Sequence, residues 1–405
     1  MLTKIETKNY RNLDLEEGVS LGALNIFIGP NGSGKSNLTK ALRFLQEGLI
    51  DSPDQRRGVS SFESAIAEFG FEKVLDASVK MPATMKLKLA FDLINNLEHV
   101  LEVELDVKKE TSVDLMTEQY YAAPKSDPEH SKQFFYQSHV SSGVASYLDD
   151  EGETRSLKGL SANEFAIKEI AKKIGVKNWA ELIFSEMRDW GFYESARMNL
   201  EWIRHVTPER GSTDHRLAPS GANLIPVINE LFQNDIDFEE RMLAAMRELF
   251  PQTRRLRIGD VGRTSLSLEW WVNDIDTPFY LDQMSDGTVR MLCWATVLLS
   301  PKKHKLIIID EPEAGVHPAW LRVLAGWIAE AARETQVIIS THSPDLLDFF
   351  TDDLNSVLVF TESSKRNHYS ISTIDRARID EQLKEGWQLG DLYRVGEPAV
   401  GGWPW

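Results

Sequence analysis

Cysteine is almost absent from this chain: Cys293 is the only one in 405 residues. One thiol forms no internal disulfide and no Cys-rich zinc site, which excludes a disulfide-stapled secreted scaffold and makes a reducing cytoplasm the expected setting. Long apolar runs are missing too. Nothing approaches the roughly 18 residues of a membrane-spanning helix, and Met1–Lys8 lacks the apolar core of a secretory leader. A cytoplasmic chain with no membrane partner is therefore expected. Positive charge is in deficit, with 45 Lys+Arg against 62 Asp+Glu and a net charge of −17. That balance argues against broad adhesion to nucleic acid while leaving room for a local basic patch. Heptads and internal repeats are also lacking. Ser161–Ile174, Trp179–Trp190 and Ile236–Phe250 read as separate helices interrupted by Gly and Pro, not as a coiled-coil arm.

What is present is an ordinary globular balance, 42% hydrophobic and 26% charged, over a length that suits two or three domains' worth of chain. Leu24–Ile28 reads as a short buried strand, Gly29–Gly34 as a tight loop and Lys35–Leu49 as a helix. Towards the other end, Lys305–Asp310, Gln336–Thr341 and Ser356–Phe360 are β-branched runs, with a helical pattern over Pro318–Glu334. Such alternation implies a parallel sheet covered by helices. Between them, Met85–Phe91 and Val100–Val107 alternate with period two, as half-solvated antiparallel strands do. Loops are expected at Asp51–Gly58, Ala122–His130 and Thr207–Gly221.

Four blocks carry chemistry. Gly29-Pro30-Asn31-Gly32-Ser33-Gly34-Lys35-Ser36 has the spacing G-x-x-x-x-G-K-[ST] between a predicted strand and a predicted helix. Glycines let successive backbone N–H groups close around a β-phosphate at a helix N-terminus. Lys35 supplies a charge between β- and γ-phosphates, and the Ser36 hydroxyl is placed to ligate Mg²⁺. In the second block, Leu306–Ile309 ends in Asp310 and Glu311. A strand-end Asp310 reaches a Mg²⁺ shell and Glu311 orients or deprotonates water; the competing reading is an ordinary acidic first turn of a helix. Met284–Thr288 is the third block, either a plain N-cap or a second phosphate site. His342, after the strand at 336–341, is either structural or a γ-phosphate contact.

In this order the four blocks resemble the ABC-type ATPase heads of the SMC/RecF/OLD group, in particular small AAA family ATPases with a RecF-like layout. The likeness covers roughly residues 1–50 and 255–360. Asn9-Tyr-Arg-Asn12-Leu13 looks like the group's opening segment, Ser285-Asp-Gly287-Thr288 like its signature, Glu311–Pro318 like its D-loop region and Thr341-His342-Ser-Pro like its switch-histidine segment. The resemblance implies an α/β P-loop head with a β-rich layer. Its lobes would be 1–110 and 255–405, split by a mixed, mainly helical insert over 111–254. It also implies ATP and Mg²⁺ as cofactors, with Asn12, the loop residues 29–36, Asn37, Ser285 and Gly287 at the nucleotide, Ser36 and Asp310 on the metal, and Glu311, Lys35 and His342 in catalysis. Two heads would dimerise head to tail, each nucleotide lying between the glycine loop of one and Ser285 of the other.

In that group the output serves DNA repair or defence against phage and plasmids, often through a nuclease. Only 63 residues follow His342 here, and Asp352, Asp353, Asp375, Asp380 and Glu381 are scattered, so a nuclease or other effector is expected in trans. DNA is a further candidate partner through Arg254–Arg257 or Lys302–Lys305, although a solvated face is the simpler reading of both. The segment ending in Trp403-Pro-Trp405 is either a tail folded back on the head or a docking element. No CxxC or heptad seam supports a long-armed or zinc-hook relative. Gln119, Gln133 and Gln137 all compete for the Q-loop position. A transporter's nucleotide-binding subunit fits less well, because the signature reads Ser-Asp-Gly-Thr and not Ser-Gly-Gly; a slow, nucleotide-timed scaffold is the remaining alternative.

Overall fold

The computed structural model describes all residues except 51–59, 70–74, 77–78, 81, 95, 108–112, 128–130, 140–141, 175–178, 210, 213, 263, 301–302, 364–367 and 402–405. The chain opens with a hairpin, β1 (Leu2–Tyr10) and β2 (Leu13–Ser20), then β3 (Leu24–Ile28), the glycine loop and helix α1 (Lys35–Leu49). After α2 (Ser61–Phe69) come β4 (Ala83–Ile94), β5 (Leu97–Val107), β6 (Val113–Pro124), β7 (Gln133–His139), β8 (Val144–Leu148) and β9 (Thr154–Lys158). Helices α3 (Ala166–Ala171) and α4 (Trp179–Arg188) lead to β10 (Trp190–Glu194). The chain continues through α5 (Leu200–His205), α6 (Leu224–Asn234) and α7 (Ile236–Leu249) to the hairpin β11 (Thr253–Val261) and β12 (Ser265–Val272). Then follow α8 (Asp286–Leu298), β13 (Leu306–Asp310), α9 (Leu321–Ala331), β14 (Gln336–Ser340), α10 (Pro344–Leu347), β15 (Val357–Glu362), β16 (Tyr369–Thr373), α11 (Arg376–Lys384) and α12 (Leu389–Arg394).

Two compact units result. The first comprises Met1–Gly22, Gly29–Trp190 and Leu358–Thr373, the second Ala23–Ile28, Gly191–Val357 and Ile374–Trp405. They cut the chain elsewhere than at the expected lobe boundaries. The stretch 111–254 also opens with four strands, β6 to β9, and turns helical only from Ala166. Short, polar strands such as Thr154–Lys158, with one buried residue in five, carry too weak an alternation to be read in advance. The loop expected at 51–58 lies outside the described residues, and β6 runs through Pro124 where a loop was expected from Ala122.

In the first unit the strand order is β15-β16-β2-β1-β4-β5-β6-β7-β8-β9, antiparallel from β2 onward. On β4, buried Met85, Leu87 and Leu89 alternate with Lys86 and Lys88. The lysines reach Glu102 on β5 (2.5 Å) and Glu6 on β1 (3.0 Å), so one face is apolar and the other a lattice of ion pairs. Helix α1 buries Leu38, Leu42, Phe44 and Leu45, and Phe44, Phe62 and Phe165 pack edge to face at 6.0 and 5.5 Å.

Glu118 on β6 is 1% exposed. It accepts hydrogen bonds from the Tyr136 hydroxyl (2.5 Å) and from the Ala166 and Ile167 N–H groups (2.7 and 3.3 Å), and so caps α3. Burial outweighs these donors and pushes the carboxyl up to about 7 from 4.5. Between those values the folded chain holds a proton that the unfolded chain has released, so this contribution is complete below about pH 4.5 and lost as pH rises through about 7. Unfolding free energy is expected to fall by about 3 kcal/mol from pH 5 to pH 8 on this account, and Glu118→Gln to remove most of that slope. Urea melts of both proteins at the two pH values check it; an unaltered slope in the variant would rule Glu118 out as the source.

The second unit is built on β10-β13-β14-β3. β13, β14 and β3 are parallel and in register, Asp310 opposite Ser340 and Ser340 opposite Phe27. Ile307, Ile308, Ile309, Val337, Ile338 and Ile339 are all buried, the continuous apolar pattern that a sheet covered on both faces demands. Helix α8 is buried nearly all round from Thr288 to Leu298, and Trp294 donates its indole N–H to Pro312 O (3.0 Å).

Candidate functional site

The glycine loop belongs to the first unit. Gly29, Gly32 and Gly34 have φ of 142°, 80° and 100°, values that a side chain rarely adopts. A Cβ on Gly34 would lie 2.5 Å from Leu13 Cδ2 and 2.9 Å from Asn12 Oδ1, and one on Gly29 would lie 2.7 Å from Phe360 O. Space as well as conformation therefore requires glycine at these two positions. Gly34 is also the N-cap of α1, where no side chain caps the helix and the first turn holds no acid. Such an N-terminus favours an anion. Lys35 is 5% exposed, and its ammonium donates to Gly29 O (2.8 Å), Pro30 O (3.0 Å) and Ser33 Oγ (3.5 Å). Asn31 and Gly32 are exposed at the loop's tip.

Asn12 joins this group. Its amide donates to Gly32 O (2.6 Å) and its Oδ1 accepts from the Asn37 amide (2.7 Å). Asn37 in turn accepts from Arg11 Nη1 at Oδ1 (2.8 Å) and from the Tyr10 hydroxyl at its carbonyl (3.1 Å). The tip of the β1–β2 hairpin thus braces the loop, with Asn9 and Arg11 at positive φ. Gly29 to Asn37 and Asn12 therefore form one constellation, and an uncapped helix start above a glycine cradle and a buried ammonium fits a nucleotide's phosphates.

The carboxylates lie in the second unit, at the C-terminal edge of its parallel strands. Asp310 ends β13 and accepts from the Ser340 hydroxyl at the end of β14. Glu311 has φ 51°; its N–H donates to Ser340 O (2.9 Å), and its half-exposed carboxylate stands 4.0 Å from His342 Nε2. Asp310, Glu311 and His342 are brought together as expected from strands that end side by side. Ser285 stands at the start of α8, where its Oγ accepts from Thr288 N–H (3.3 Å). Gly287 faces Gly315, since a Cβ there would lie 3.2 Å from Gly315 O. Arg204 from α5 holds the segment by donating to Met284 O (3.0 Å) and to the Asp286 carboxylate.

Four residues escaped sequence reasoning: Glu313, Ser195, Arg204 and Arg290. Glu313 accepts from Thr341 Oγ1 (2.7 Å) and from His342 N–H (3.0 Å), so it fixes the backbone at Thr341–His342. Burial pushes its carboxyl above the usual range. Its place two residues beyond Glu311 was a usable signal. Ser195, Arg204 and Arg290 gave none, because the partners that place them here lie 80 to 116 residues away. The glutamines considered for a Q-loop, Gln119, Gln133 and Gln137, belong to β6 and β7, where Gln119 and Gln137 face each other across the ladder. The strand flanking β13 is instead β10, which runs into Ser195. Of the basic runs, Arg254 lies over the Trp271 ring (5.4 Å) and Arg257 pairs with Glu269 (3.4 Å). Lys302, Trp403 and Trp405 lie outside the described residues. Among the described residues no group of three or more His, Cys, Asp or Glu is placed to hold a metal, and no helix is long and apolar enough to cross a membrane.

A glycine loop after β3, paired carboxylates after β13 and a histidine after β14, on one parallel sheet, define a P-loop ATPase head of the ABC type, like those of the SMC/RecF/OLD group. The chain belongs to the family described as "AAA domain, putative AbiEii toxin, Type IV TA system", whose model matches residues 24–348. It is similar to a protein named Endonuclease GajA from Bacillus cereus (strain VD045), 23% identical over 85% of this chain and 56% of that protein. It also resembles the uncharacterized protein MJECL44 of Methanocaldococcus jannaschii, 27% identical over 27% of this chain and 32% of that protein. The chain thus spans about half the length of the first relative and a third of the second. Among solved structures, an SMC head bound to the C-winged helix domain of ScpA shares the fold over 95% of this chain and 99% of that one, with a TM-score of 0.52 at 14% identity.

Proposed function

We propose that this chain is an ATP-hydrolysing, Mg²⁺-dependent head that dimerises on the nucleotide and drives an effector in DNA repair or in defence against phage and plasmids. One arrangement supports it: Asp310, His342 and Ile28, from which the chain enters the glycine loop, stand at the carboxyl ends of neighbouring parallel strands, where ligands bind in an open α/β sheet. In this reading the backbone of Gly29–Gly34, Lys35 and Asn37 hold the phosphates, and Asn12 keeps the loop in shape. Ser36 and Asp310 would hold Mg²⁺, which neutralises phosphate charge when bound. Glu311 orients or deprotonates the attacking water, and His342 contacts the γ-phosphate. Ser285 and Gly287 complete the site of a second copy. The family description, which names a toxin–antitoxin system, and the name of the Bacillus relative, an endonuclease, support a defence role with a nuclease as effector. A cytoplasmic location and DNA as a further ligand belong to the same proposal.

The assembly step is tested by sedimentation. Glu311→Gln with ATP and Mg²⁺ is expected to double its mass at micromolar concentration, whereas Ser285→Arg in that background should bind ATP and stay monomeric, because a long cation replaces a hydroxyl at an exposed helix cap. A Glu311→Gln protein that remains monomeric with saturating ATP would overturn the dimer.

A further inference from the structure

Glu311 is a non-glycine residue at positive φ, a backbone state that persists only where its surroundings hold it. Its N–H donates to Ser340 O (2.9 Å), while its carbonyl accepts from Ala314 N–H (3.1 Å) and from Ser195 Oγ (2.5 Å). Ser195 comes from the end of β10, 116 residues earlier in sequence, and is 2% exposed. The Ser195 carbonyl accepts in turn from Arg290 Nη1 (2.7 Å). Arg290 stands on α8, five residues beyond Ser285. Gly315, at φ 75°, leaves room for that arginine: a Cβ on it would lie 2.9 Å from Arg290 Nε. One chain of hydrogen bonds therefore runs from the helix that Ser285 caps, through Arg290 and Ser195, to the carbonyl of Glu311.

We propose that Ser195 and Arg290 are positioning residues that couple the placement of α8 to the backbone conformation of Glu311. Whatever engages Ser285 and shifts α8 moves Arg290, and with it the serine that holds the glutamate. The hydroxyl is the link in this relay that a single substitution removes without changing the backbone. The inference rests on the proposed role of Glu311 in hydrolysis.

The test is steady-state ATP hydrolysis beside equilibrium nucleotide binding. Ser195→Ala is expected to lower kcat roughly tenfold with KM and nucleotide Kd within about twofold of wild type, since only the alignment of Glu311 is lost. Ser195→Thr, which keeps the hydroxyl, should recover most of the rate. Arg290→Met should show the same split between kcat and KM, and the double variant should be no slower than the slower single one, because both act through one relay. That cycle also serves if the threonine methyl does not fit. An unchanged kcat in Ser195→Ala, in a protein whose Glu311→Gln form is inactive, would overturn the coupling and leave the function standing. Additive losses in the double variant, or losses that follow melting temperature, would reduce both residues to structural supports. A Glu311→Gln protein of wild-type rate would instead remove the hydrolytic reading itself.

Discussion

Lys35→Ala is expected to weaken nucleotide binding by roughly 30- to 4,000-fold. The ammonium is nearly buried and already lies among oxygens of the loop it serves, bonded to Gly29 O and Pro30 O. A phosphate entering the cradle would exchange those neutral carbonyls for charged oxygens, so the charge is held in place before the ligand arrives and little ordering remains to be done. Removing one partner of a buried, hydrogen-bonded charge pair costs about 2–5 kcal/mol, and each 1.4 kcal/mol is tenfold in affinity. Glycines 29, 32 and 34 are unaffected by the change, so the loop should keep its path and the protein its fold. Titration calorimetry with ATP and Mg²⁺ measures the effect, with circular dichroism as the control on folding. A variant that bound ATP within threefold of wild type would show that the loop is not the phosphate site.

How far the sequence revealed this site depends on how local each contact is. The glycine loop was fully legible, because spacing, the strand before it and the helix after it are all set within residues 24–49, and β3 and α1 have the expected bounds. Asp310 and His342 were legible for a related reason. A parallel strand buried on both faces must be apolar up to its end, so its first polar residues mark the carboxyl edge. Asn12 came only from a family resemblance; the structure supplies its physical role, an amide that bridges Gly32 and Asn37. Ser195, Arg204 and Arg290 were illegible, since each touches a partner some 80 to 116 residues away and no period or spacing encodes such a contact. The polar strands β7 to β9 failed for the opposite reason: they pair in sequence order, but their side chains follow no clean alternation.

Glu311→Gln should separate binding from hydrolysis. The glutamate's backbone is fixed from both sides, by Ser340 O on its N–H and by Ser195 and Ala314 on its carbonyl, while its carboxylate stays half exposed at the strand edge, 4.0 Å from His342. Glutamine has the same length and tolerates the same φ no worse, so the backbone contacts and the position of the side chain should survive. What is lost is the capacity to accept a proton from water. General-base catalysis by a positioned side chain is worth about 10²–10⁴-fold, so kcat is expected to fall by that factor while the affinity for ATP changes by less than about threefold. Asp310→Asn provides the contrast. Asp310 is proposed to hold Mg²⁺, and its loss should weaken metal-dependent binding as well as rate, so the two acids of one strand end would give different signatures in the same pair of assays. Phosphate release under saturating ATP, measured beside titration calorimetry, reads both quantities. Should Glu311→Gln turn over ATP at the wild-type rate with unaltered affinity, the base would have to be sought elsewhere. Glu313, which shares the Thr341–His342 segment and whose burial already favours its protonated form, would be the next carboxylate to replace.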